Sequence, residues 1–287
     1  VYQMYAVRAN CYELKRMWKC AIDDYETAIM KIELIIDSLD KSDNHYEYHL
    51  KNIAKYYYCR GIGYYNIKDY RNAIDDATVS ISYRNDDYRP YELRADSYMM
   101  IENYESAKKD CEAVVIMNKL KGYLLFARYY DETDDYKLAL SSYDKYIEEN
   151  NNKNDINAYF RRGLLKDTIE NYSEVLQDYI KCITINDKYY AAHYTIACIC
   201  EENNIFSRNT IISHFLKALL NCDDYETRLR YYNTIISYDN NLSKTLSAAG
   251  ISPNMSSTEN KVLPQSEPLP KTDPENEGEK DGEKKMQ

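Results

Sequence analysis

At 287 residues and 44% hydrophobic content, the chain can form one elongated domain or two compact ones with a continuous core. Its formal net charge of -10 speaks against a nucleic-acid partner, because such binding draws most of its affinity from Lys and Arg neutralising phosphates. Glycine and proline are scarce, and Pro90 is the only proline before Pro253, so the punctuation that strands and hairpins require is missing and long helices are what remain.

Tyrosine is the compositional outlier, at 33 residues against four Phe and one Trp, and supplies large apolar faces whose hydroxyls need partners. The eight cysteines are spread without a C-x-x-C pair, which predicts reduced thiols rather than disulfides or a metal site. The most apolar segment, Tyr189 to Cys200, is short and interrupted; it predicts a buried helix and no membrane span. The chain begins at Val1 rather than Met and reads as processed or as a fragment, so the lack of a signal peptide carries little weight; the compartment expected is the cytoplasm.

A period organises the chain: Tyr64 recurs at Tyr98, Tyr70 at Tyr104 and Ala73 at Ala107, each 34 residues on. Two helices of about a dozen residues plus two tight turns consume this length, and each pair leaves an apolar face that only the next pair covers. The first repeat, 2–40, carries Ala9, Tyr12, Trp18, Ala21, Tyr25 and Ala28, with an extended second helix. Residues 41–53 then read as a helical hairpin insertion turning at Lys41 to Asn44, which accounts for the spacing of 52 between Tyr12 and Tyr64. The second repeat, 54–87, has Gly61, Tyr64, Tyr70, Ala73, Ala77 and Ser80, and the third, 88–119, has Ala95, Tyr98, Tyr104, Ala107, Cys111 and Val114. The fourth, 120–151, has Ala127, Tyr130, Tyr136, Ala139, Tyr143 and Tyr146; the fifth, 156–189, has Gly163, Lys166, Tyr172, Val175, Tyr179 and Cys182. A degenerate sixth, 190–222, opens with Ala197 and Cys200 and reaches Phe215 and Ala218 only with an insertion near Phe206 to Asn209. Residues 225–249 read as capping helices, at Tyr225 to Ser237 and Leu242 to Ala249, and the polar stretch 253–287 as a disordered, mildly acidic tail.

This alternation of small and aromatic positions resembles the tetratricopeptide repeat (TPR) family. The resemblance implies an all-α fold, a right-handed α-solenoid of tandem antiparallel helix pairs. Small residues let two helices approach within about 8 to 10 Å while the aromatics fill the gaps between pairs. The chain departs from the family in lacking the proline near the end of the second helix; Asn85-Asp86-Asp87, Asn150-Asn151-Asn152 and Asn186-Asp187 are expected to make those turns.

Catalytic motifs are missing: no G-x-x-x-x-G-K-[ST], G-x-S-x-G, H-E-x-x-H or calcium loop occurs, so no enzyme, cofactor or metal is expected. His45, Glu47 and His49 form an H-x-E-x-H string without an evident third ligand and read as a solvated face. The carboxylate pairs Asp23-Asp24, Asp75-Asp76 and Asp86-Asp87 read as solvent-facing charge or turns. His193 and His214 lie among apolar residues and read as satisfied core or groove histidines.

In the family that the chain resembles, the first helix of each repeat lines a concave groove. Transferred to this sequence, the groove positions include Asn10 in the first repeat, Lys55, Tyr58, Ile62 and Tyr65 in the second, and Arg89, Glu92, Met99 and Met100 in the third. The fourth and fifth repeats contribute Lys121, Leu124 and Arg128, then Phe160 and Leu164. The expectation is an apolar strip flanked by mixed charge, suited to a peptide or helix of a protein partner. The clamp of two lysines, two asparagines and an arginine by which one subgroup grips the carboxylate tails of heat-shock chaperones matches only at Asn10 when started at the first repeat, with Arg89 a near miss, only at Lys121 from the second and only at Arg161 from the third. The function expected is therefore a non-enzymatic interaction scaffold, with a non-catalytic region of a longer enzyme or a chaperone adaptor without the clamp as alternatives.

Overall fold

The computed structural model describes residues 2–43, 45–150, 154–168, 172–203 and 205–238, together with 246 and 252. The predicted second capping helix lies outside them except for the buried Leu246, and the predicted tail at 253–287 lies wholly outside. The described residues form α-helices and no strands: α1 (Tyr2–Leu14), α2 (Trp18–Ser38), α3 (Tyr46–Asn66), α4 (Tyr70–Tyr83), α5 (Tyr88–Met100), α6 (Tyr104–Met117), α7 (Lys119–Glu132), α8 (Tyr136–Glu149), α9 (Ile156–Thr168), α10 (Tyr172–Ile185), α11 (Tyr190–Glu202), α12 (Arg208–Asn221) and α13 (Tyr225–Tyr238). They fall into two compact units, Val1–Asp178 and Tyr179–Gln287, with the division inside α10.

In the first unit each helix packs on the next, from α1 to α9, and α5 also touches α3 and α7, so helices two apart adjoin. This is the all-α, TPR-like stacking of antiparallel helix pairs. Small residues make it close. A Cβ on Gly63 of α3 would lie 2.7 Å from Ile22 Cγ1 of α2, and one on Gly122 of α7 would lie 2.6 Å from Val115 Cα of α6. Around these contacts Ala9, Ala21, Ala28, Ala73, Ala77, Ala95, Ala107, Ala127 and Ala139 are completely buried, beside large side chains such as Tyr25, Ile32, Ile53 and Leu125.

Two local devices make the turn within a pair. Arg16, Lys68, Glu102 and Asp134 occupy the left-handed region, at φ of 55, 65, 60 and 58°. In each case the following amide reaches back across the turn to the last full turn of the helix: Met17 N–H donates to Tyr12 O, Asp69 to Tyr64, Asn103 to Tyr98 and Asp135 to Tyr130, at 2.8 to 2.9 Å. That is the Schellman arrangement, which satisfies carbonyls left orphaned at a helix end. In three of the four turns the residue after the left-handed one then caps the next helix: the side chains of Asp69, Asn103 and Asp135 accept the amides of Asn72, Ser106 and Leu138. Asp87 and Asn118 likewise cap α5 and α7. Of these, Asp87 and Asn118 stand at turns between pairs, where the family's proline is missing; the expected turn residues Asn151 and Asn152 lie outside the described residues.

A recurring ion pair ties the helices of a pair together. Arg8, Arg60, Arg94 and Arg162, each just before the small residue of its first helix, bind Asp24, Asp76, Asp110 and Asp178 sixteen positions later through Nε and Nη2. Asp24 and Asp76 are therefore buried, which corrects the expectation that they belong to solvated pairs; their neighbours Asp23 and Asp75 are exposed as expected. Burial raises the Asp76 carboxyl above its ordinary range, and the guanidinium of Arg60 opposes that rise. The third guanidinium nitrogen can reach the preceding pair, as Arg162 Nη1 does to Asp144 at 2.7 Å and Arg94 Nη1 to Thr78 at 3.1 Å. The fourth repeat has Phe126 and Ser142 at the two positions, and there Phe126 stacks on Tyr130 at 5.5 Å.

In the second unit α11 packs on α12 and α12 on α13 around Ile196, Phe215, Leu219 and Ile235. His193 and His214 are buried together, their Nδ1 atoms 2.8 Å apart. His193 Nε2 faces the carbonyl oxygen of Asp187 at 2.8 Å and must donate to it, so His193 Nδ1 is the acceptor and His214 Nδ1 carries the shared proton. Desolvation, then the charge of the neighbouring histidine, pushes His214 down to about 4.

Candidate functional site

The first helices of successive pairs bring one face of the first unit together. Tyr65 of α3 lies in the electrostatic neighbourhood of Asp96 on α5 and of Arg128 and Glu132 on α7, so three alternate helices share one surface. At its centre Arg128 Nη2 donates to Glu92 and Asp96, both at 3.0 Å. Desolvation pushes the Asp96 carboxyl up to about 6 although the positive charge of Arg128 opposes it. Arg128 Nε is buried and has no hydrogen-bond partner among the described residues. A charged triad, not an apolar strip, therefore occupies the middle of this face.

The remaining candidate residues divide by what they touch. Tyr58, Ile62 and Tyr65 are half-buried on α3, with the Arg89 guanidinium 5.6 Å from the centre of the Tyr58 ring and Tyr65 edge-on to Tyr70. Met100 and Leu164 are exposed, at 46% and 36%, as are Lys55, Arg89 and Lys121, while Phe160 is half-buried. Met99, by contrast, is 5% exposed and packs in the core with Ala95, Ala107, Cys111 and Leu125, so its side chain offers no groove surface. One helical step of about 100° separates Met99 from Met100, enough to take one inward and leave the other in solvent. Leu124 packs against the cluster containing Tyr143 and Leu165. Asn10 is engaged internally, its Oδ1 accepting the Tyr25 hydroxyl at 2.6 Å.

Beside Tyr58 the structure has a cavity of about 200 Å³ lined by Lys51, Asn52, Lys55, Tyr58, Arg84, Asp87 and Arg89, with Ala54, Ser80 and Pro90 completing its wall. Lys51 and Arg84 are invisible to a reading confined to repeat positions, because one precedes the second repeat and the other follows its last helix. Asp87 is held by Arg89 through Nε, Nη2 and the backbone amide, which, against desolvation, keep its carboxyl below the usual range. Burial pushes the Tyr58 phenol up to about 12, so its hydroxyl stays protonated.

Among the described residues no group of three or more His, Cys, Asp and Glu side chains could hold a metal ion, and no helix is long and apolar enough to cross a membrane. In the H-x-E-x-H string, His45 bonds Asp43 and His49 lies 3.1 Å from the Tyr2 hydroxyl.

No protein-family model matches the sequence, and no curated protein matches it. Solved structures do. The C-terminal part of a TPR repeat-containing protein from Cytophaga hutchinsonii superposes with a TM-score of 0.54 at 15% identity, over 85% of this chain and 91% of that one. PilF of Pseudomonas aeruginosa gives 0.54 at 10% identity, over 69% and 94%, and a thermophilic TPR protein of Thermus thermophilus gives 0.51 at 15% identity, over 64% and 99%. The fold is that of the tetratricopeptide repeat proteins.

Proposed function

We propose that this chain is a non-enzymatic scaffold that binds a peptide or helix of a partner protein along the shared face of α3, α5, α7 and α9. The observation that carries this reading is the convergence of Tyr65, Asp96, Arg128 and Glu132 from three helices on one surface. Such a surface offers half-buried aromatic rings for apolar contact and fixed charges for register, and a helical or extended segment can use both. Tyr58, Ile62, Tyr65, Met100, Phe160 and Leu164 are the apolar contacts, and Lys55, Arg89, Glu92, Lys121 and Arg128 the polar ones. Fold alone does not name a function, so the reading rests on this surface.

The test is affinity capture from the native organism with the parent chain and with Tyr65→Ala and Leu164→Ala, followed by mass spectrometry. A partner held by the parent and released by both variants supports the groove; equal recovery on all three chains counts against it. Both side chains are partly exposed, so their loss leaves the core intact.

A further inference from the structure

The cavity between α3, the end of α4 and the start of α5 has an unusual balance of donors. In a chain of net charge -10, four of its lining residues are cations, Lys51, Lys55, Arg84 and Arg89, against a single acid, Asp87. Asp87 is already satisfied by Arg89. Arg84 gives Nε and Nη2 to Asp86 outside the cavity, and Lys51 has Glu47 at 3.9 Å and lies in the electrostatic neighbourhood of Asp86. Among the described residues Lys55 forms no ion pair, although its charge reaches the half-buried Glu13. The Tyr58 hydroxyl forms no hydrogen bond, with Glu92 in its electrostatic neighbourhood, and the hydrogen bonds of Arg84 and Arg89 run through Nε and Nη2, leaving Nη1 of each over. Ser80 donates to the Ala54 carbonyl and Asn52 to the Tyr48 carbonyl, so those two side chains are already committed within the protein.

Donors left over, with the one acid consumed, call for a ligand that only accepts. We propose that this cavity receives an anionic oxygen group, a carboxylate or a phosphate, carried by the segment of the partner that lies along the groove. The proposal rests on the groove reading for its carrier, since Lys55, Tyr58 and Arg89 belong to both. The site differs from the chaperone-tail clamp: only Arg89 of its four cations stands at a clamp position, and Lys51 and Arg84 come from outside the groove positions altogether. Lys55 and the Tyr58 hydroxyl would approach the anion from α3 and Arg89 Nη1 from α5, while the planar guanidinium of Arg84 closes the side of α4.

Nitrogen-15 NMR of the arginine Nε resonances in the full chain, titrated with inorganic phosphate and separately with acetate at constant ionic strength, tests this directly. Saturable shifts at Arg84 and Arg89, absent at the exposed Arg71, are expected. Lys55→Gln should weaken the response at least about fivefold, the loss of one charge-assisted contact, while Lys108→Gln on α6 leaves it unchanged. Response to phosphate alone assigns a phosphorylated side chain, and response to both assigns a carboxylate as well. Shifts that never saturate, or that are equal at Arg71, overturn the proposal without any variant being made. Because ions bind without the partner, the two readings fail separately: ion binding intact with no groove-dependent partner removes the groove, and a groove-dependent partner with no ion binding removes this cavity.

Discussion

Arg94 closes on Asp110 through two parallel bonds, Nε to Oδ2 at 2.8 Å and Nη2 to Oδ1 at 2.7 Å, across a pair of helices whose side chains there are only 18% and 6% exposed. A buried pair of this kind adds little net stability over a well-packed apolar substitute, yet losing one partner strands the other. Asp110→Ser should therefore cost about 3 kcal/mol of unfolding free energy, as breaking a buried pair does. The double change Arg94→Phe with Asp110→Ser installs what the fourth repeat already uses, Phe126 and Ser142, and should recover at least half of that loss. Urea unfolding of parent, singles and double completes the cycle. Additive costs would show that the pairing is not what couples these positions.

The left-handed residues make a second prediction. Glu102 sits at φ 60°, where a side chain costs roughly 1 kcal/mol and glycine almost nothing. Glu102→Gly should raise stability by about 0.5 kcal/mol, the conformational gain less the added entropy of the unfolded chain. The next residue, Asn103, holds the cap on α6, and Asn103→Ala should lower stability by about 1 kcal/mol through its loss. Thermal melts of the two variants should move in opposite directions.

Gly122 marks a very close approach of two helices, α6 and α7. An added Cβ would meet the Val115 backbone at 2.6 Å as well as its side chain, so a rotamer change cannot relieve it. Gly122→Ala should destabilise by about 2 kcal/mol despite the better helix propensity of alanine. A neutral or stabilising outcome in urea would mean that the two helices separate freely.

Acid should loosen the second unit before the first. His214 is held near 4 against an ordinary 6.5, and His193 is lowered too, by desolvation first. The groups around the pair are Lys217 of α12, which disfavours a further proton, the Asp187 carboxylate 3.8 Å from His193 Nε2, and the stacked Phe206 ring. A depressed histidine leaves the unfolded state with more bound protons, so stability is present in full above about 6.5 and declines as the pH falls towards 4. The change from His214 is about 3 kcal/mol over that window. Hydrogen exchange at α11 and α12 as a function of pH should follow this slope, and His214→Phe should flatten it. An unchanged slope would remove the pair as its source.

Composition and period by themselves pointed to long helices in stacked pairs, because scarce Gly and Pro leave little else and a 34-residue unit holds two helices whose apolar face the next pair must cover. The small and aromatic positions added the family resemblance that implies the solenoid. It was the resemblance to the tetratricopeptide repeats, not the period itself, that put Tyr58 and Tyr65 forward as groove positions. What the tertiary structure alone decided was the use of charge. Asp24 and Asp23 are neighbours of one chemistry in the sequence, yet one is buried on Arg8 and the other solvated, since adjacent helical positions differ by about 100° in direction. The spacing of sixteen from Arg to Asp occurs in four of the repeats, but it spans a turn, and helical periodicity does not carry across one. Met99 fell to the core and Met100 to solvent for the same angular reason. Of the cavity's four cations, Lys55 and Arg89 stood out as repeat positions, but Lys51 and Arg84 did not, because they come from separate segments that only packing brings beside the other two.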